Sequence, residues 1–392
     1  MRRISYIFII MTVFYKTQGQ SVMDSLKGLL AKSNTDTAKI RLLNLLGEEC
    51  GIEEIPDYSY PSLHLINKGL IKTGGNEKAD KFYIKSKAQA LNNIGCYFME
   101  KDESDSALSK FNEALEIFKK VNDQEAIGTC LNNFGLIYCN IGEYELSKKY
   151  HLSALSIRQE TRDTSGIAMS YNNLATLNYN QGKISSALGY YKSALSLYEK
   201  NGDKMGLATA LNNLALIYNN LGDVERSLEY YHRSLRIIES LGDKNRGAIT
   251  LCNIGYIYQL QSEFDKAEEY YRNSINIHRE IKSKSGLAHA LNNMGDLLCV
   301  RGSGEDAMKY FEEVLAIRKE INDRMGEAVC LNSIGNYEMQ RGNLSEALKS
   351  CLKSLSLSEE LGDIEGISLS SGYIGEIYLA QKNYMKRRNM EN

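Results

Sequence analysis

The chain has 392 residues, 43% of them hydrophobic and 24% charged, with a formal net charge of −2. That composition is ordinary for a soluble folded protein, and the lack of a long basic run before the last few residues gives a nucleic-acid partner no support. Only two prolines occur, Pro56 and Pro61, so everything after them lacks the ring that breaks helix interiors.

Residues 1–19 read as an export signal. Arg2 and Arg3 supply a positive start, Ile4 to Phe14 a short apolar run, and Thr17-Gln18-Gly19 the spacing of a cleavage site, with the cut after Gly19. The run is about 11 residues, short of the roughly 20 that cross a bilayer as a helix, and no later segment reaches that length. The expected location is exported, periplasmic or at the cell surface, with no membrane span in the mature chain. An uncleaved N-terminal helix on a cytoplasmic protein is the alternative.

Residues 20–80 form a preface. Leu42-Leu43-Asn44-Leu45-Leu46-Gly47 has the look of a degenerate first repeat, but Asn44 lies 49 residues before Asn93 where the later period is 40. The offset is assigned to an insertion carrying Pro56 and Pro61, and Thr73-Gly74-Gly75 reads as a loop.

From residue 81 to 380 one pattern returns every 40 residues. Leu91-Asn92-Asn93-Ile94-Gly95 is followed by Leu131-Asn132-Asn133-Phe134-Gly135, Tyr171-Asn172-Asn173-Leu174-Ala175 and Leu211-Asn212-Asn213-Leu214-Ala215. Then come Leu251-Cys252-Asn253-Ile254-Gly255, Leu291-Asn292-Asn293-Met294-Gly295 and Leu331-Asn332-Ser333-Ile334-Gly335, with a fainter echo at Ser371 to Gly375. A fixed period of this length predicts stacked supersecondary units in a solenoid. Each unit reads as two amphipathic helices: Leu207, Leu211, Leu214 and Tyr218 make one stripe, and Val224, Leu228, Tyr231, Leu235 and Ile238 the next. Gly222 and Gly242 suit the helix ends. Asp123, Asp163, Asp203, Asp243, Asp323 and Asp363, with Ser283 in the missing place, suit N-caps.

The order of small residue, Asn-Leu-Gly/Ala, aromatic, Gly, Ala, Tyr/Phe and Ala is similar to the tetratricopeptide repeat. Ile94, Gly95, Phe98, Ala107, Phe111 and Ala114 carry it in one unit, and Leu174, Ala175, Gly182, Ala187, Tyr191 and Ala194 in another. Ala267, Ala307 and Ala347 hold the close-packing place, which Ser147 and Ser227 take in two units. The period exceeds the family's usual one and the family's terminal proline is missing, so the resemblance is to its longer-repeat members. It implies an all-α fold, a right-handed superhelical solenoid of antiparallel helix pairs, with about seven full repeats and the first helix of an eighth. Residues 381–392 are read as a polar tail. The abrupt end is taken as truncation of a longer protein, with a poor capping element as the alternative.

In that family the first helices line a concave groove. The resemblance therefore places Asn92, Asn132, Asn172, Asn212, Asn292 and Asn332 in a ladder of amides facing an extended peptide, with Cys252 interrupting it. Leu136, Leu216 and Tyr256, four residues further on, are the candidate apolar anchors. The second series, Asn93 to Asn293, is assigned to the seams between repeats. The stripe lacks Lys and Arg, so no carboxylate clamp is expected. The eight cysteines fall almost wholly on predicted helices and are read as free buried thiols. The five histidines are scattered, and Gly302-Ser303-Gly304 lacks the Lys-Ser/Thr of a phosphate loop. No metal site, cofactor or catalytic group is expected. The leader and the long-period repeats resemble the exported sensor regions of bacterial signalling proteins of this family, whose kinase output would be separate from this chain or lost from it. The competing reading is a complete cytoplasmic adaptor.

Overall fold

The computed structural model describes residues 20–73, 76–101 and 103–391. The export signal read in residues 1–19 and Gly74-Gly75 of the predicted loop lie outside the described residues. Eighteen α-helices are present among the described residues, in two compact units that divide between Asp243 and Lys244.

In the first unit, α1 (Gln20–Lys32) precedes a pair formed by α2 (Asp36–Glu49) and α3 (Ile55–Lys72), with a 3-10 turn at Ile52–Glu54 between them. Four regular pairs follow: α4 (Glu77–Glu100) with α5 (Ser104–Lys120), α6 (Gln124–Asn140) with α7 (Tyr144–Glu160), α8 (Thr164–Asn180) with α9 (Ile184–Asn201), and α10 (Lys204–Asn220) with α11 (Val224–Leu241). The second unit holds α12 (Lys244–Leu260) with α13 (Phe264–Glu280), α14 (Lys284–Arg301) with α15 (Gly304–Glu320), and α16 (Arg324–Gln340) with α17 (Leu344–Leu361), then α18 (Ile364–Glu391).

Turn chemistry sets this rhythm. Gly142, Gly182, Gly202, Gly222, Gly242, Gly302, Gly342 and Gly362 take the left-handed conformation that ends a helix at little cost, and Asn122, Arg162, Ser262, Lys282 and Asn322 take it without that freedom. Asp123, Asp163, Asp203, Asp323 and Asp363 then accept a backbone N–H of the following helix. Ser283, expected to do the same, makes no such bond.

Several repeats close on a contact that only glycine permits, with Ala175 and Ala215 in the same place in two others. Gly95 lies under the Phe111 ring, Gly135 under His151, Gly255 under Tyr271 and Gly295 under Phe311. Ser234, Ser274 and Ser354 each donate to a first-helix carbonyl (of Ala208, Ala248 and Ala328) at 2.7–2.8 Å, so these buried hydroxyls are satisfied.

Two ends differ from the sequence reading. Pro56 and Pro61 both lie on α3, Pro56 in its first turn, where a missing N–H removes no helical bond. The extra residues before Asn93 go into the 3-10 turn and into α4, which has 24 residues where α6 has 17. At the other end, α18 runs through the expected tail: Gln381-Lys382-Asn383 offers no glycine where Gly342 stops α16.

Candidate functional site

Within each unit the first helices of adjoining pairs touch, α4 with α6, α6 with α8 and α8 with α10, then α12 with α14 and α14 with α16, while successive second helices stand further apart. The first-helix side is therefore the crowded side of each stack, and its residues divide sharply by accessibility.

On α6, α8 and α10 of the first unit this face is closed, while Asn92 and Cys96 on α4 are half-buried. Asn132, Asn172 and Asn212 are 3%, 0% and 2% exposed, and only Asn92 is half-buried. The amides run from repeat to repeat. Asn133 Nδ2 donates to Asn92 Oδ1 at 3.3 Å, and Asn173 Nδ2 donates to Asn132 Oδ1 at 2.8 Å. The ladder starts in the preface, where Asn93 Nδ2 donates to the Asn44 carbonyl at 3.1 Å and Asn44 Nδ2 to the Ser86 carbonyl at 2.9 Å. A second rung lies a helical turn or two on, where Asn180 donates to Cys139 Sγ and Asn220 to the Tyr179 hydroxyl. Leu136 and Leu216 are buried in the same seams.

The second unit is more open. Asn292 and Asn332 are buried, Asn292 Nδ2 donating to Asp296 Oδ2 at 3.1 Å and to Ser333 Oγ at 3.3 Å, and Asn332 Nδ2 to Ser370 Oγ at 3.0 Å. Cys252 fills the missing place by accepting from Asn293 Nδ2 at 3.1 Å. Four residues beyond this register, Tyr256, Asp296 and Asn336 on successive first helices are all half-buried, where Leu136, Thr176 and Leu216 of the first unit are 2%, 1% and 4% exposed. Asp296 also accepts from Ser333 Oγ at 3.3 Å. It thus places an oxygen acceptor beside an aromatic ring position and an amide. His289, on the same helix as Asp296, is held neutral down to about 4 by desolvation and by the nearby Arg318 and His278. Burial, with Cys252 and Asp296 beside it, holds the Tyr271 hydroxyl well above its ordinary value. The sequence reading named Tyr256 but gave no role to Asp296 or Asn336. The signal was weak, since Asp296 and Asn336 stand where Leu136 and Leu216 do, but so does the buried Thr176.

None of the eight cysteines is joined in a disulfide. Burial pushes Cys50 and Cys252 up to about 12, leaving them as protonated packing groups. Among the described residues no group of three His, Cys, Asp or Glu side chains is placed to hold a metal ion, and no helix is long and apolar enough to cross a membrane.

The tetratricopeptide repeat pattern matches residues 126–200, 206–280 and 286–360, more than half of the chain. The chain belongs to the tetratricopeptide-repeat family. No curated protein matches it by sequence. Among solved structures, this tetratricopeptide-repeat chain is similar to the Rap conjugation gene regulator of the plasmid pLS20 in complex with the Phr* peptide, at 14% identity and a TM-score of 0.58, over 88% of this chain and 96% of that one. It is similar to NprR in complex with its cognate peptide NprX, at 16% identity and 0.54, over 93% and 98%. It is also similar to a signal transduction ATPase with a tetratricopeptide repeat sensor from Pyrococcus horikoshii, at 14% and 0.51, where 96% of this chain spans only 55% of that one. At these identities the likeness is one of fold.

Proposed function

We propose that this tetratricopeptide-repeat chain is a non-enzymatic scaffold that binds a protein or an extended peptide along the first-helix face of its second unit. The observation that carries this reading is the accessible stripe of Tyr256, Asp296 and Asn336, set against the closed equivalents Leu136, Thr176 and Leu216 on α6, α8 and α10. Tyr256 serves as the apolar anchor, Asp296 as acceptor for a peptide N–H or a basic side chain, and Asn336 as both donor and acceptor. The first-series amides, Asn132, Asn172, Asn212, Asn292 and Asn332, act as spacers that hold the first helices in register, and Asn92 keeps a partly open amide. Two of the similar solved structures hold a peptide, which is consistent with this reading.

The leader-like residues 1–19 extend the proposal: the chain works as the exported input part of a bacterial signalling system. The eight free thiols favour the second reading, a cytoplasmic adaptor, because a reducing compartment keeps them so. Intact mass of the native protein separates the two, since export removes about 19 residues. The binding face is tested by placing a photo-crosslinking phenylalanine analogue at position 256, with position 216 as the buried control. Covalent adducts from 256 and none from 216 are expected. Absence of adducts from 256 in the native cells would overturn the assignment.

A further inference from the structure

At two crossings of successive second helices, one in each unit, an ion pair spans the seam. Glu199 on α9 pairs with Arg233 on α11 at 3.6 Å, and Arg279 on α13 pairs with Glu313 on α15 at 2.9 Å. Positions 159 and 193 hold the same places on α7 and α9, 40 residues earlier than 199 and 233, but they are Gln and Ser. Ser193 turns its hydroxyl back onto the Gly189 carbonyl at 3.1 Å instead of crossing the seam. Beneath it, the first-helix register held by Leu at 91, 131, 211, 251, 291 and 331 is Tyr171. Ser153, one repeat earlier, bonds back to the Lys149 carbonyl in the same way at 3.0 Å, so what sets the later seam apart is Tyr171 in the Leu register of an array whose units solve the same packing problem.

The unpaired crossing and Tyr171 open on one cleft of about 550 Å³ in the first unit. Ile167, Tyr171 and Leu197 are half-buried in it, and Gln159, Lys192 and Ser193 are exposed around it. The lining carries one charge, the Lys192 ammonium, and no carboxylate. Every polar group there is a hydrogen-bond donor or able to donate, so the complementary ligand is an acceptor with negative charge attached to an apolar group.

We propose that this cleft takes a segment of a partner protein in which an apolar residue adjoins Asp or Glu. The apolar side chain lies on Ile167, Tyr171 and Leu197, the carboxylate meets Lys192, and Gln159 and Ser193 bond the peptide backbone. The site is formed by α7, α8 and α9 and does not depend on the first-helix face of the other unit.

The test uses the full chain with labelled Ile and Leu methyl groups and two probe peptides, acetyl-GLEFDG-amide and its uncharged counterpart acetyl-GLQFNG-amide. The acidic peptide should move the Ile167 and Leu197 methyl signals, saturably, with about fivefold tighter binding than the neutral one at low salt. A closed variant, Gln159→Glu with Ser193→Arg, copies the Glu199–Arg233 pair and should keep full helicity while losing these shifts. Unmoved Ile167 and Leu197 signals, equal binding of the two peptides, or shifts that persist in the closed variant would each overturn the proposal.

Discussion

The amide between Asn132 and Asn173 offers the sharpest test of what the repeated Asn pair does. The two side chains are 3% and 2% exposed and meet at 2.8 Å. Asn173→Ala removes the donor and leaves Asn132 Oδ1 buried without it. A neutral hydrogen bond contributes a net of about 0.5–1.5 kcal/mol, and abandoning a buried partner costs about 1–3 kcal/mol. Each single substitution should therefore lower stability by about 2 kcal/mol. The double variant leaves neither group stranded, so it should lose much less than the sum, giving a coupling energy of about 1–2 kcal/mol. Urea unfolding followed by helical circular dichroism, on the wild type, both single variants and the double variant, measures this directly. Coupling near zero, with each single change under about 0.5 kcal/mol, would refute a seam role. The pair would then be free for other work, ligand contact included.

Three further expectations follow from the same geometry. His151 occupies the place that Phe111 and Phe311 hold in other repeats, and its complete burial, with Arg158 nearby, lowers it from 6.5 to about 3. Below pH 6.5 the unfolded chain therefore binds a proton that the native chain refuses, and stability falls by about 1.4 kcal/mol per pH unit towards pH 3. His151→Phe should be less sensitive to acid by about 3 kcal/mol between pH 6.5 and pH 4, as read from urea midpoints; identical pH profiles for the two proteins would count against the burial argument. Two helical glycines should respond in opposite directions to alanine. At Gly295 the new Cβ would lie 2.6 Å from the fully buried Phe311 ring, an overpacking cost of about 1–3 kcal/mol that outweighs the helix-propensity gain, whereas Gly189 has nothing within 4 Å and should gain about 1 kcal/mol. Finally, Arg162→Gly and Lys282→Gly relieve left-handed positions with φ of 57° and should each raise the melting midpoint, by roughly 0.5–1 kcal/mol in stability. No change at either position would mean that the turn tolerates a Cβ better than the steric argument allows.

The helix pairs were legible because their signals are local. Gly222 and Asp223 mark a helix end and the next start whatever surrounds them, and the stripe from Leu207 to Tyr218 fixes which side of α10 is buried. The contact of Gly135 with the ring at 151 was likewise implied by a small residue and a large one recurring in step. The ladder was only half legible. Sequence separated the two Asn series by register, and the second series does reach across the seams, but through Asn133 and Asn173 it takes the first series with it.

Packing between helices from different repeats is what decided the rest. A period of 40 residues fixes that Leu136, Leu216, Tyr256 and Asp296 share one register, and nothing in that spacing says how closely the neighbouring first helices approach. Leu136 and Leu216 are covered in the seam; at Tyr256 and Asp296 the face stays accessible. The same holds for Gln159, Ser193 and Tyr171, ordinary residues on three different helices until packing brings them around one cleft. Backbone hydrogen bonding and amphipathic period are properties of a single helix, so the sequence alone determined the helix pairs and their order. Accessibility depends on side chains filling, or failing to fill, the space between helices, so only the tertiary structure decided which surfaces remain open to a partner.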